Sequence, residues 1–322
     1  MWASAAALDY WPNGAARSLS TRRTHSIGVL LPDLYGEFYS EIIRGVDEAA
    51  RNGQLQILIS SSHADNEALL AAARSMRGRV DGLIVMAPYH DSGGVVQRIA
   101  RSFPTVLLNS RLALNGTSAV SIANYDGARA AVSHLAQLGH RRIALVCGPN
   151  GNMDAEERRR GYRQALEDEG ITPDPAWELH GNFTEASGYE AGLVFPRGRK
   201  DPTAVFAAND SMAIGLVSGL LASGRNVPDD VAVIGFDDIA LARYVTPPLT
   251  TVRVDAHELG MRATTLLTDS LTTTNELPAA HEVLPARLTV RQSCGARPEQ
   301  ERVDTPETKT TGDTQRNRRP TS

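Results

Sequence analysis

Two adjacent carboxylates, Asp237 and Asp238, close the apolar run VAVIGF (231–236), and residues 10–32 carry Arg17, Arg22, Arg23 and His25 without a single acid. A carboxylate pair can hold a metal or divide acid and base work. Either use needs a histidine or a third carboxylate, and none lies near in sequence. Neighbouring side chains at a strand end also point in different directions. One carboxylate is therefore expected to accept hydrogen bonds from a ligand and the other to cap the following turn. The acid-free arm is a separate signal. The 322 residues hold 33 Lys and Arg against 37 Asp and Glu, a net charge of -4. Bare cations gathered in one short stretch of such a chain make a local footprint for an anionic partner, although the whole is not a basic nucleic-acid coat protein.

The remaining chemistry is thin. No G-x-G-x-x-G follows a strand-like run, and there is no Walker loop, G-x-S-x-G elbow or H-E-x-x-H pair, so no enzyme is expected, and no cofactor or metal. Two cysteines, Cys147 and Cys294, cannot make a disulfide framework and lack zinc-site spacing; they read as small core or surface thiols. No apolar run approaches the ~18 residues of a membrane span. The start, MWASAAALDYWPNGAARSLSTRRTHS, puts its charges after a short Ala/Leu stretch, the reverse of an export signal, so a cytoplasmic location is expected.

Such residues must be positioned by a scaffold, and from Ser26 onward its period is plain. Short apolar runs at 26–31, 55–60, 82–86, 105–109, 119–123, 142–147, 203–208 and 231–236 read as strands. Between them, 39–51, 66–76, 127–138 and 155–169 have helical period, as do 211–221 and 256–271 further on. This is the signature of βαβ units around parallel sheets covered by helices on both faces. There are too many strands for one mononucleotide-sized sheet, so two lobes sharing a cleft are expected, with ligands beyond the carboxyl ends of the strands. The face with Met212, Ala213, Gly215 and Leu216 reads as a packing surface. Residues 295–322 have Val303 as their only large aliphatic residue and read as a disordered tail without leucine heptads.

The run Tyr10-Trp11-Pro12-Asn13-Gly14-Ala15-Ala16-Arg17-Ser18-Leu19, followed by Arg22-Arg23-Thr24-His25-Ser26-Ile27-Gly28-Val29, resembles the headpiece end, hinge helix and first core strand of the lactose-repressor/galactose-repressor (LacI/GalR) family. The resemblance continues in family order. It runs through Arg79-Val80-Asp81-Gly82, Leu138-Gly139-His140-Arg141-Arg142-Ile143 and Asn209-Asp210-Ser211-Met212, and on through Val227-Pro228-Asp229-Asp230 and Gly235-Phe236-Asp237-Asp238 to Pro247-Pro248-Leu249-Thr250-Thr251. It implies a periplasmic-binding-protein-like α/β core of two doubly wound parallel-sheet lobes, preceded by a short hinge helix. The implied divisions are 1–25 (headpiece remnant and hinge), 26–123 plus 254–284 (first lobe), 124–253 plus 285–293 (second lobe) and 295–322 (tail).

The function implied is that of a dimeric transcription regulator, probed by operator DNA on one side and a small-molecule effector, a mono- or oligosaccharide, on the other. Leu19 would wedge into the minor groove, Ala15 and Ala16 would face the groove or the partner hinge, and Arg17, Arg22 and Arg23 would lie near phosphates. Family members begin with a complete helix-turn-helix. Residues 1–8 here resemble only its last helix, which suggests either a start placed too far downstream or a regulator lacking its base-reading element. The implied effector contacts are Phe38, Tyr39, Asn109, Arg158, Phe183, Asn209 and Asp237. At 109 family members often carry an acid. This Arg, Asn and Asp set around aromatic rings suits a neutral polyol. The purine-repressor branch has an arginine and a threonine at the positions of Asn152 and Asp154, which speaks against a purine. A sugar-binding module without DNA binding is the other reading the core allows.

Overall fold

The computed structural model describes residues 23–110, 114, 116–196, 198, 200–272 and 278–296. Ala15, Ala16, Arg17, Leu19 and Arg22 of the expected hinge lie outside them, as does the expected tail from 297 onward. In chain order the first half runs β1 (Ser26–Leu31), α1 (Glu37–Asn52), β2 (Gln56–Ser61), α2 (Asn66–Ser75), β3 (Gly82–Val85), α3 (Gly93–Ala100), β4 (Thr105–Leu108), β5 (Ser118–Ile122) and α4 (Asn124–Gln137). It continues with β6 (Ile143–Val146), α5 (Met153–Asp168), β7 (Glu178–Leu179), α6 (Glu185–Leu193), β8 (Ala204–Ala207) and α7 (Asp210–Ala222). The last elements are β9 (Ala232–Asp237), β10 (Thr250–Arg253), α8 (Ala256–Thr272), β11 (His281–Leu284) and β12 (Arg287–Thr289).

The strands make two sheets, ordered β11-β5-β4-β3-β1-β2 and β12-β10-β9-β8-β6-β7. All the pairs are parallel except β10 with β12. The central strands are wholly buried and apolar because helices cover both faces, whereas β2, at an edge, is only partly covered. The chain passes from the first sheet to the second after β5, returns after β10, and crosses again between β11 and β12. Every strand read from the sequence is present with ends shifted by one residue at most. The strands β7, β10, β11 and β12 and the helices α3 and α6 were not among those expectations.

Close helix contact is made by glycines. A Cβ on Gly45 of α1 would stand 1.9 Å from the His257 carbonyl oxygen of α8, and one on Gly215 of α7 would stand 1.9 Å from the Glu185 oxygen of α6. Thus the Gly215 face is a packing surface, as expected. Just before β1, Thr24 and His25 donate backbone N–H groups to the Asp81 carboxylate at 2.7 and 2.9 Å, and Arg23 donates to the Leu271 carbonyl at 2.8 Å. The arm therefore enters the core tied to the first sheet's elements. Cys147 is half-buried and Cys294 buried, both unbridged. Among the described residues no helix is long and apolar enough to cross a membrane.

Candidate ligand-binding site

Within each sheet the strand order reverses between its first and third strands, β1 with β3 and β6 with β8. At such points the following loops part to opposite sides and leave a crevice beyond the strands' carboxyl ends. A cavity of about 330 Å³ lies there, between the two sheets. Phe38, Tyr39, Asn109, Arg158, Phe183, Asn209 and Asp237 all line it. The structure thus brings together all seven residues named from the sequence.

Several are held in uncommon backbone conformations. Asn109, Phe183 and Asp237 have φ of 45°, 69° and 114°, and Asp238 has 57°. Left-handed backbone costs a residue with a side chain about 1–3 kcal/mol, and it concentrates at functional sites. Of these residues, Asn109, Phe183 and Asp237 line the cavity.

A buried polar network joins the two lobes across the floor. Asn109, after β4, donates its amide to Asp154 Oδ2 at 2.6 Å, and Asn124, at the start of α4, donates to Asp154 Oδ1 at 2.8 Å. Arg158 Nε donates to Asn124 Oδ1 at 2.8 Å and Nη1 to the Ala208 carbonyl at 2.5 Å. Its Nη2 lies 3.3 Å from Asp237 Oδ1, close enough to pair in charge but without hydrogen-bond geometry. The guanidinium also covers the Phe236 ring, 3.8 Å from its centroid. With 4% of its side chain exposed, Arg158 braces three loops as well as facing the cavity. Burial pushes the Asp237 carboxyl up to about 6, against the opposing pull of Arg158. Burial, and then the charge of Asp154, also raises the Tyr39 phenol, which stays neutral.

The aromatic walls are separate. Phe38 and Tyr39 meet edge to face at 5.6 Å in the first turn of α1. Phe183 approaches Gly148 so closely that a Cβ there would stand 2.5 Å from its ring. Asn209 is engaged on both sides of its amide: Oδ1 caps α7 by accepting from Met212 N at 3.0 Å, and Nδ2 donates to the Phe183 carbonyl at 3.0 Å. It holds the Phe183 loop in place. Beside the lining residue Pro88, Met153 N donates to its carbonyl at 2.8 Å, and His90 Nε2 lies 2.5 Å from Glu156 Oε2.

Asp238 departs from expectation. It does not cap the next turn; its carboxylate receives Arg291 Nη2 at 2.5 Å. The distant β12 end supplies that arginine, which a local reading could not foresee. Three residues went unassigned: Asp154, Asn124 and Asp210. Asp210 is fully buried behind the site, where it accepts from Thr251 Oγ1 at 2.5 Å and Ile239 N at 3.0 Å and so fixes the turn after Asp237. The available signal was position alone, since each sits in the first turn of a helix that follows a strand. Among the described residues no three His, Cys, Asp or Glu are placed to hold a metal ion.

Residues 132–294 match the model of the periplasmic binding protein-like domain. The chain is 32% identical to the HTH-type transcriptional repressor PurR of Haemophilus influenzae over 272 residues, 84% of this chain and 80% of that one. It is 33% identical to the ribose operon repressor of Escherichia coli over 268 residues, 82% and 81%. Its fold is similar to that of the lac repressor dimer bound to operator and the anti-inducer ONPF, with a TM-score of 0.80, 28% identity and coverage of 89% of this chain and all of that one.

Proposed function

The chain belongs to the lactose-repressor/galactose-repressor (LacI/GalR) family of DNA-binding repressors under effector control, and from that premise we propose that its own effector is a sugar held in the cleft between the two sheets. The observation that carries this reading is the convergence of Asn109, Arg158 and Asp237 with Phe38, Tyr39 and Phe183 around one cavity. Polar groups fork onto adjacent hydroxyls while rings cover an apolar sugar face. The purine repressor among its relatives does not redirect this reading, because Asn152 and Asp154 stand where that branch has an arginine and a threonine. Asn152 is spent as the cap of α5.

In this proposal the protein is a cytoplasmic homodimer without enzymatic activity, divided as 26–123 plus 254–284 and 124–253 plus 285–293. Lobe closure on the sugar changes the seating of the hinge, where Ala15, Ala16, Arg17, Leu19, Arg22 and Arg23 meet operator DNA. The relatives support a regulator rather than an enzyme, and the acid-free arm supports contact with phosphates. The test is a gel-retardation assay with DNA from the protein's own promoter region. It uses the purified chain and the same chain fused behind a complete helix-turn-helix headpiece, each with and without a panel of sugars. A shifted band whose intensity changes with one sugar is expected. Retardation of no fragment by the fused protein, under any condition, would sink the regulator reading.

A further inference from the structure

We propose that Asp154 is the charge-selecting residue of the cleft: it makes the site admit an uncharged, hydroxyl-bearing effector and refuse a phosphorylated or carboxylated one. The inference rests on the cleft being the effector site.

Four helices, α1, α5, α6 and α7, begin at this cavity, and a helix N-terminus ordinarily welcomes an anion. Here each start carries its own acid in the first turn: Glu37, Asp154, Glu185 and Asp210. The side chains of Asn152, Thr184 and Asn209 already accept from the first N–H groups of α5, α6 and α7. The positive ends of α5, α6 and α7 are thus answered within the chain by both cap and acid, and that of α1 by Glu37 alone. Glu185 is turned to Ser211 Oγ at 2.5 Å and Asp210 is buried behind the wall, so the acid set into the floor is Asp154, 7% exposed. The charged side chains lining the cavity include four carboxylates, Asp33, Glu37, Asp154 and Asp237, and one guanidinium, Arg158.

Asp154 also sets the polarity of its neighbours. Both oxygens of its carboxyl accept, so Asn109 and Asn124 each turn their NH2 groups toward it. Asn124 Oδ1 is then satisfied by Arg158. Asn109 Oδ1 is left buried in the cavity wall without a hydrogen-bond partner. A hydroxyl can donate to that oxygen; a phosphate or carboxylate oxygen cannot, and would meet it lone pair to lone pair. With a neutral amide at 154, Asn109 would be free to reverse and offer its NH2 instead.

The test compares matched probes in thermal melting titrations of the purified chain: ribose with ribose 5-phosphate, and glucose with glucose 6-phosphate and glucuronate. In parallel, a bacterial metabolite extract is passed over the protein and the retained compound is read by mass spectrometry. In the wild type the uncharged probe is expected to bind about 100-fold more tightly than its anionic twin. Asp154→Asn is expected to narrow that gap to less than about tenfold and to weaken the neutral probe. Glu167→Gln, exposed on the same helix and equal in charge change, should keep the wild-type gap. If the asparagine variant does not fold, judged by its melting without ligand, Asp154→Ser replaces it. A wild type that prefers an anionic twin, an Asp154→Asn protein with an unchanged gap, an anionic retained compound, or retention of nothing would each overturn the proposal. An uncharged retained compound that is not a sugar would leave the charge selection standing and refute the sugar.

Discussion

Asp237 lines the cavity and, in the function proposed above, serves both stability and ligand capture. Its carboxyl rises from 3.8 to about 6 in the folded chain, with burial as the larger cause and Arg158 opposing it. The native state therefore holds this proton more tightly than the unfolded chain does. Its stabilising contribution is complete below pH about 4 and is lost as the pH climbs to about 6, about 2–3 kcal/mol over the interval. Asp210 is raised in the same direction, chiefly by burial, and adds its own slope. In a series of melting curves between pH 4 and 7, Asp237→Asn should show a visibly flatter decline than the wild type. It should also lose the effector-dependent rise in melting temperature, because the charged acceptor is gone. A variant with the wild-type slope and the wild-type ligand response would contradict both roles.

At the scale of elements, α6 was overlooked and its neighbour α7 explains why. The segment EASGYEAGL carries two glycines, each worth about 1 kcal/mol against a helix, and no clear apolar stripe. In the structure those glycines are the contact: a Cβ on Gly188 would stand 2.0 Å from the Met212 oxygen and one on Gly192 would stand 2.6 Å from the Leu216 oxygen. Local propensity is given up so that two backbones can touch. Gly215→Ala, whose new methyl would press on the Glu185 carbonyl, should destabilise the protein by about 2–3 kcal/mol in urea unfolding. Ser218→Ala, exposed on the same helix, should change the midpoint little. The strands β7, β11 and β12 were missed for a different reason. They are two to four residues long and partly exposed, so they carry no run of burial to read.

For the whole molecule, the three crossings between sheets allow the lobes to share a cleft, while the described residues just before the core are tied to elements of the first sheet. Thr24 and His25 are held by Asp81 and Arg23 by the end of α8. A change in the angle between lobes would thus reach the arm through elements of the first sheet. The expected consequence is separable function. Leu19→Ala should weaken operator binding about 10–100-fold in a filter-binding titration, by removing an apolar wedge, and leave effector affinity unchanged. Equal operator affinity in the variant would refute the hinge assignment.

What the sequence determined by itself was the alternation of strands and helices, the family order of its motifs and the seven residues of the cavity wall. The alternation depends on local period, which the chain carries in short stretches, and the seven residues on the family order of its motifs, which placed them by resemblance. The tertiary structure decided who meets whom. Asp154 finds Asn109 and Asn124, 45 and 30 residues away, and Asp238 finds Arg291, 53 residues on. The first of these joins the two lobes and the others join distant segments of one lobe, so none can be read from a local stretch of sequence. They determine which oxygen of the floor is left for a ligand, because a buried carboxylate dictates the direction of every hydrogen bond it receives.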